Sequence, residues 1–211
     1  MAIEIQGRVG VVVAQDGTLQ DPRLLKDGST AVADAHGSYY ETNYRGNIYS
    51  GTNAAAGVAP GTALGTAPPF TLYNPIGSPV NLVLIDISMG YVSGTWGAGT
   101  VVLAWNPQTT NANPTGGTQL TPRSNRIGSP TQGQGLIFTG STVAATSAIL
   151  RPVFTLNAFA GGAVAPGPPM VDRTDGKFIV LPGNCLSLQG IAAAGTTPLA
   201  IFGMTWEEVP V

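Results

Sequence analysis

Two residue types that often carry nucleophilic or metal chemistry occur once each, as His36 and Cys185. A Ser–His–Asp arrangement would have to use His36, but this residue lies in Asp34-Ala35-His36-Gly37, which is typical of a turn after a strand. No Gly-x-Ser-x-Gly elbow is present. Cys185 lies among leucines, which favours a buried and inert thiol. The sequence therefore predicts no catalytic residue, no metal site and no cofactor.

Paired carboxylates could act as a general acid and base, and two pairs are present. Glu207 and Glu208 are adjacent in a predicted strand, where neighbouring side chains point to opposite faces, so they would not share a site. We expect both to be solvated at a C-terminal edge. Asp172 and Asp175 belong to a polar segment, residues 172–177, that reads as a turn with local ion pairing. Neither pair predicts acid–base catalysis.

The three tryptophans could bind partners or sugars by stacking. Trp105 and Trp206 end apolar strands and are interpreted as core or interface anchors. Trp96 stands in Ser93-Gly94-Thr95-Trp96-Gly97, a glycine-rich segment that reads as the tip of a hairpin. We therefore expect Trp96 to be exposed there and to contact a partner chain or a glycan.

The unusual property of the composition is its shortage of charge. Charged residues make up 9% of the 211 residues and the net charge is −2, against a usual charged share of about 25%. No basic region indicates a nucleic-acid partner. No apolar run reaches membrane-spanning length, and the beginning of the sequence does not resemble a signal peptide. A neutral surface favours association, so we expect a homo-oligomer, specifically a trimer closed by symmetry, that is made in a cytoplasm.

The frequency and spacing of glycine and proline residues indicate the fold class. With 29 glycines and 17 prolines, hardly any window can hold a three-turn helix. Between these residues lie short β-branched and aromatic runs that predict strands and hence an all-β, jelly-roll-like sandwich. The predicted strands are Arg8–Val13, Thr30–Ala35, Tyr39–Tyr49 (broken at Gly46), Phe70–Tyr73, Val80–Val92, Thr100–Trp105, Gly135–Phe138, Ile149–Asn157, Phe178–Leu181, Cys185–Gln189 and Leu199–Trp206.

The expected core follows from alternation within these strands. In the run from Val80, the odd positions Val83, Ile85, Ile87 and Met89 form the better core face, although the first half is apolar on both sides. The full predicted core comprises Val83, Ile85, Ile87, Val102, Leu103, Phe154, Leu156, Ile179, Leu181, Leu188, Ile201 and Phe202.

The first 45 residues differ from the rest, because they hold half of all the charged residues in both signs. We predict that residues 1–45 form an N-terminal arm or small β extension and that residues 46–211 form the sandwich. An arm that extends the same sandwich is the alternative. Mixed charges suit contacts that set the register with a partner. The predicted partner-contact residues are Arg8, Arg23, Lys26, Tyr39, Tyr40 and Trp96.

One segment, Gly176-Lys177-Phe178-Ile179-Val180-Leu181-Pro182-Gly183-Asn184-Cys185-Leu186, resembles the second motif of cupins, a strand, a tight turn and a second strand. In cupins a histidine after the turn binds a metal. Here Cys185, Leu186 and Ser187 occupy that region. The resemblance implies a hairpin of jelly-roll type and leaves a cupin-like enzyme as a remote alternative.

Two further segments, residues 33–49 and 195–210, resemble parts of virion structural proteins of tailed bacteriophages. The first contains Tyr39-Tyr40-Glu41 and Tyr44-Arg45-Gly46, and the second contains Met204-Thr205-Trp206. The resemblance implies a jelly-roll capsid cement (decoration) protein, often trimeric, that bridges major capsid proteins in the virion. It does not separate this function from that of a head fibre or a receptor-binding tip that recognises a host glycan.

Overall fold

The computed structural model describes residues 37–108, 113–156, 170–192 and 195–211. Residues Thr42–Val211 form one compact unit. In chain order, the elements of the described residues are α1 (Tyr40–Tyr44), β1 (Ile48–Thr52), β2 (Phe70–Asn74), β3 (Val80–Thr95), β4 (Gly99–Pro107), β5 (Thr118–Leu120), β6 (Arg123–Ser124), β7 (Leu136–Thr139), β8 (Ala148–Leu156), β9 (Met170–Val180), β10 (Asn184–Ala192) and β11 (Thr196–Pro210). The fold is all-β, as the sequence predicts.

The strands form two antiparallel sheets that pack face to face. One sheet has the order β6-β1-β11-β3-β9 and the other has the order β5-β7-β2-β10-β4-β8. Eight strands make a jelly roll, with β1-β11-β3-β9 opposite β2-β10-β4-β8. The short strands β5, β6 and β7 come from the connection between β4 and β8, and they extend both sheets on one side.

The main core lies between the sheets and is built by alternation. In β10, Leu186 and Leu188 point inward, opposite Trp105 and Leu103 of β4. From the other sheet, β11 contributes Trp206 and its alternate neighbours. The predicted core residues that are buried are Ile85, Ile87, Val102, Leu103, Phe154, Leu156, Leu188 and Phe202.

A bulge in β3 corrects the predicted core face of that strand. Leu82 and Leu84 are fully buried, whereas the predicted Val83 is only partly buried. Opposite β11, the register shifts because Thr205 pairs with Asp86 while Trp206 pairs with Leu84. The extra residue moves the core face from even to odd positions, so Ile87 is in the core as predicted.

Three other core predictions are wrong because of strand phase. Ile179 and Leu181 are 56% and 55% exposed, while Val180 between them is buried. Ile201 is only partly buried, since its neighbour Phe202 occupies the inward position. In each case the adjacent residue points into the sandwich.

Several predicted elements need correction. Residues 40–44 form the short helix α1 where a strand is predicted; a turn bond from Gly46 N–H to the Asn43 carbonyl follows the helix. Residues 172–177 lie within β9 rather than in a turn, as a wide bulge with Asp175 and Gly176 at positive φ. The strands β5 and β6 are absent from the prediction. The predicted strands Arg8–Val13 and Thr30–Ala35 lie outside the described residues.

Part of the uncharged connection between β1 and β2, residues 60–66, lies over the outer face of the second sheet, where it hydrogen-bonds to Gln189, Gly190, Val143 and Ser147. A buried polar network lies beneath it: Asn106 donates to Ser147 Oγ at 2.7 Å, and Ser187 donates to Asn106 Oδ1 at 2.9 Å. Ser147 then donates to the Gly65 carbonyl at 3.0 Å. Buried polar groups that are all hydrogen-bonded specify one arrangement, so this face of the sheet is closed by the chain itself.

Candidate functional site: the two edges of the sandwich

The structure describes three of the six predicted contact residues. Arg8, Arg23, Lys26 and the predicted turn residue His36 lie outside the described residues. Tyr39 and Tyr40 are exposed.

The expectation that Trp96 is an exposed hairpin tip is wrong. The indole is 5% exposed and belongs to the main core cluster. Its ring centroid lies 5.7 Å from that of the exposed Tyr91, whose hydroxyl donates to the Gly94 carbonyl at 2.9 Å. The indole folds back from the glycine-rich turn onto the end of the core, because burying so large a side chain stabilises the sandwich.

The other two tryptophans differ in their exposure. Trp206 is fully buried in the core, as an anchor should be, and it stacks with Tyr49 at 6.3 Å. Trp105 is 39% exposed although it has the inward phase of β4. Its Nε1–H donates to Asn184 Oδ1 at 2.9 Å. This hydrogen bond fixes the indole at the open side of the sandwich, where its ring is available for contact.

Trp105 belongs to an apolar groove between the two sheets. The groove has a volume of about 350 Å³. Its lining residues come from β4, β8, β9, β10 and the β9–β10 turn: Trp105, Leu150, Lys177, Phe178, Ile179, Val180, Leu181, Asn184 and Leu186. Aromatic and aliphatic side chains supply most of its walls, and a substantial polar share, with Lys177 and Asn184 among the lining residues, accompanies them. Concave surfaces of this kind are typical of sites that bind a partner group.

The strands that border this groove are the edge strands β8 and β9, and both are irregular. In β8 the register shifts twice, and Pro152 lies between the shifts. In β9 the bulge contains the exposed Asp175 and is bordered by the exposed Arg173. Bulges, proline and charges hinder an incoming strand from pairing with an edge. A partner at this side, which we call the groove edge, must therefore bind through side chains.

One ion pair connects the two sheets at the groove edge. Arg151 of β8 pairs with Asp172 of β9, and its guanidinium carbon lies 5.3 Å from the centroid of the Phe178 ring. The sequence predicts ion pairs within residues 172–177, but Asp172 forms its ion pair with a residue of another strand. Since Phe178 also lines the groove, the cation braces its wall.

The opposite side of the sandwich, which we call the loop edge, consists of β5, β6 and residues 125–135. Its edge strands have three and two residues. Arg126 lies against Tyr44, with its guanidinium carbon 5.2 Å from the ring centroid and a 3.1 Å hydrogen bond to the Tyr44 carbonyl. A polar depression of about 520 Å³, lined by Ser50, Thr52, Gln119 and Arg123 among others, lies on the same side.

Glu208 closes the loop edge, and the expectation that it is solvated is wrong. Its side chain is buried. The carboxylate oxygen accepts hydrogen bonds from Gly135 N–H at 2.9 Å and from Trp206 Nε1–H at 3.3 Å. Burial raises the pKa of the neighbouring Tyr49 hydroxyl, the charge of Glu208 raises it further, and a hydrogen bond with Thr131 lowers it. The carboxylate is a structural fastener for the loop.

Cys185 is buried, as predicted. It lies on the outer face of β10 in a small cluster with Tyr73, Phe138 and Val143. Burial raises the pKa of the thiol from its ordinary 9.0 to about 12. Because the thiolate is the reactive form, the folded protein holds this cysteine unreactive.

Within the described residues, no cluster of three or more His, Cys, Asp or Glu side chains could hold a metal ion. The same part of the chain contains no helix with the length and apolar character of a membrane span. What the described geometry offers to a partner is shape and apolar surface at the groove edge.

The sequence analysis did not predict the groove, because its residues are far apart along the chain and each of them could be assigned locally to the core or to a strand end. One signal was present: Trp105 and Leu181 are large apolar residues beside Asn106 and Pro182 at the ends of predicted strands, where burial by a partner is an alternative to the core. In comparison with known proteins, no protein family, no curated protein and no solved structure matches this chain.

Proposed function

We propose that this chain is a non-catalytic structural subunit of a larger protein assembly. In its finer form, the proposal is a virion decoration (cement) subunit that stabilises a capsid by bridging major capsid proteins. A fold alone does not determine function, so the support must come from the surface.

The groove edge is the observation that carries the proposal. A chain with 9% charged residues leaves Trp105, Leu150, Ile179 and Leu181 exposed around one concavity. Isolated exposed apolar residues are ordinary, but a concave group of them marks an interaction site. The large aromatic among them is of the type that dominates binding energy at interfaces.

The proposed mechanism is mechanical. A subunit that contacts its sister copies and two or more shell proteins can be removed only if several interfaces break together, and linked contacts multiply affinity. A closed homotrimer would use neutral surface for its own contacts without open-ended growth. Localisation in the virion is part of the same proposal.

The N-terminal arm would supply register. Residues 1–45 contain half of the charged residues, and charge complementarity contributes mainly specificity. We expect a chain that lacks residues 1–28 to fold and oligomerise yet to leave particles undecorated. A truncated chain that still decorates normally, or that cannot fold, would remove the arm from the proposal.

The copy number in native particles tests the function. Quantitative densitometry of purified particles against the major shell protein should give copies in the hundreds, and a cryo-electron-microscopy map should place them over joints between shell subunits. A few dozen copies or fewer at one vertex would instead indicate a fibre or receptor-binding tip. Particles that never contain the chain would contradict both.

A further inference from the structure

The most exposed large apolar side chain of the described residues is Ile127, with 93% of its surface accessible. It occupies the tip of the loop between β6 and β7, in a tight turn closed by a 3.0 Å hydrogen bond from Ser129 N–H to the Arg126 carbonyl. Gly128 has φ +89, which suits the third position of such a turn. The turn therefore presents Ile127 outward as an apolar knob.

Contacts on both sides hold this knob in place. Before it, Arg126 is fastened to the ring and carbonyl of Tyr44, and Asn125 N–H donates to the Ile48 carbonyl at 2.9 Å. After it, Ser129 Oγ accepts a hydrogen bond from Thr131 N–H at 3.3 Å. These contacts fix the backbone of the turn, so little backbone entropy is lost when Ile127 binds a partner.

The knob and the groove lie on opposite edges of one sandwich. Ile127 follows β6, the first strand in the order of its sheet, and the groove adjoins β9, the last strand of that sheet. The groove volume of about 350 Å³ exceeds ten times the share of one water molecule, about 30 Å³. It can therefore receive the side chain of Ile127.

From this placement we infer that copies of the chain associate head to tail, with Ile127 of one copy seated in the groove of the next. The occupant is a second copy, because the same chain has a protruding apolar group on one edge and, on the other, a concavity large enough to receive it. Such contacts are heterologous and close into rings when the rotation permits. The irregular β8 and β9 favour this side-chain contact over strand pairing. The inference rests on the proposed function and names the partner of the groove edge.

Substitutions on either side of the contact provide the test. Ile127→Glu alters a fully exposed knob, and Leu181→Glu alters an exposed wall of the groove; Ile179→Glu is a second groove variant in case Leu181→Glu impairs folding. Val211→Glu is the matched control, since Val211 is an exposed apolar residue at the C-terminus. Light scattering coupled to size exclusion, with circular dichroism to check folding, should give oligomers for the wild type and the control, and monomers for Ile127→Glu and Leu181→Glu.

Mixing the two monomeric variants distinguishes head-to-tail contact from a symmetric one. The knob variant retains an intact groove and the groove variant retains an intact knob, so an equimolar mixture should form a complex of twice the monomer mass that grows no further. A mixture that stays monomeric would overturn the inference. So would an Ile127→Glu variant that remains as oligomeric as the wild type, although that result would leave the proposed assembly function standing, with another contact in use. A wild type that is monomeric in solution and absent from particles would overturn both.

Discussion

Both edges of the sandwich hinder pairing with a strand of another molecule, and they do so by different means. At the loop edge, β5 and β6 are three and two residues long, and residues 125–135 are tied down by Arg126 and Glu208. At the groove edge, β8 and β9 have nine and eleven residues. These strands carry bulges, Pro152 and an ion pair, yet they leave apolar side chains exposed.

Both edges discourage uncontrolled strand pairing, and among the described residues they differ in the side chains that surround their concavities. The longer edge leaves several large apolar side chains exposed around one concavity, whereas the concavity of the shorter edge is lined mainly by polar residues and its exposed Ile127 lies at a separate turn. The contrast indicates that the apolar side chains of the groove edge serve a partner directly, while the hydrogen bonds of Arg126 and Glu208 at the loop edge hold the loop from which Ile127 protrudes.

The largest expected effect concerns the reactivity of Cys185, which lies in β10, a strand that also contributes residues to the groove. It lies between Asn184 and Leu186, two groove-lining residues, but on the other face of β10. With its pKa raised from 9.0 to about 12, the thiolate population at pH 8 should fall about a thousand-fold relative to the unfolded chain. A thiol-specific reagent should therefore label the native protein at the rate of its unfolding. Rapid labelling of native protein would mean that β10 opens locally at the groove.

The same thiol gives a pH dependence with a definite sign. The neutral form is favoured in the folded state, so this contribution to stability is complete below pH 9 and is lost as the pH rises towards about 12. Urea unfolding between these limits should show the decline. The Cys185→Ala variant should show less of it, and an equal decline in both proteins would assign the effect to other groups.

The next effect is at the loop edge, where Glu208→Ala would leave two buried donors without an acceptor, Gly135 N–H and Trp206 Nε1–H. At about 1–3 kcal/mol for each unsatisfied group, the free energy of unfolding should fall by about 2–6 kcal/mol. Urea denaturation measures this loss. Glu208→Gln keeps an acceptor oxygen and should lose less.

The adjacent residue supplies the matched control for Glu208. Burial raises the pKa of Glu207, so removal of its charge takes away no favourable interaction. We expect Glu207→Gln to change stability by less than about 0.5 kcal/mol, as is usual for surface substitutions. Equal losses for the two positions would contradict the assignment of Glu208 as the fastener of the loop.

The smallest effect is that of the ion pair at the groove edge. Arg151 and Asp172 retain 30% and 25% of their side-chain exposure, so Asp172→Asn should cost only about 0.2–1 kcal/mol. The difference from the wild type should shrink at high salt, because the interaction is partly screened. A large, salt-independent loss would show that the pair is a main support of this edge.

Local sequence signals were sufficient for much of the fold. Runs bounded by Gly, Pro and Asn located β2 and β4 to within two residues and β10 to within three, as element boundaries allow. They failed for β5 and β6, which are too short to have a pattern. They also failed for Ile179 and Leu181, because the phase of β9 depends on a bulge whose partner is β3.

The site was beyond local reasoning for a related physical reason. The burial of Glu208 depends on Gly135, which is 73 positions away in the chain, and the groove brings Trp105 beside Leu181 through sheet topology. Trp96 shows the converse error, since a glycine-rich turn was taken to expose an indole that folds back onto the core. The hydrophobic character of the residues predicted which of them would be buried in the core or in an interface. Tertiary contacts determined which of these residues lie in the core and which remain exposed to a partner.

The central claim is that the groove edge is a surface for association, and Trp105→Glu tests it most directly. Light scattering at micromolar concentration should give the wild type a mass that is a multiple of 21.5 kDa, and the variant the mass of one chain. Circular dichroism and the melting temperature of the variant should show that the sandwich remains folded. A folded variant whose mass equals that of an oligomeric wild type would contradict the account, as would a wild type that is monomeric at every concentration.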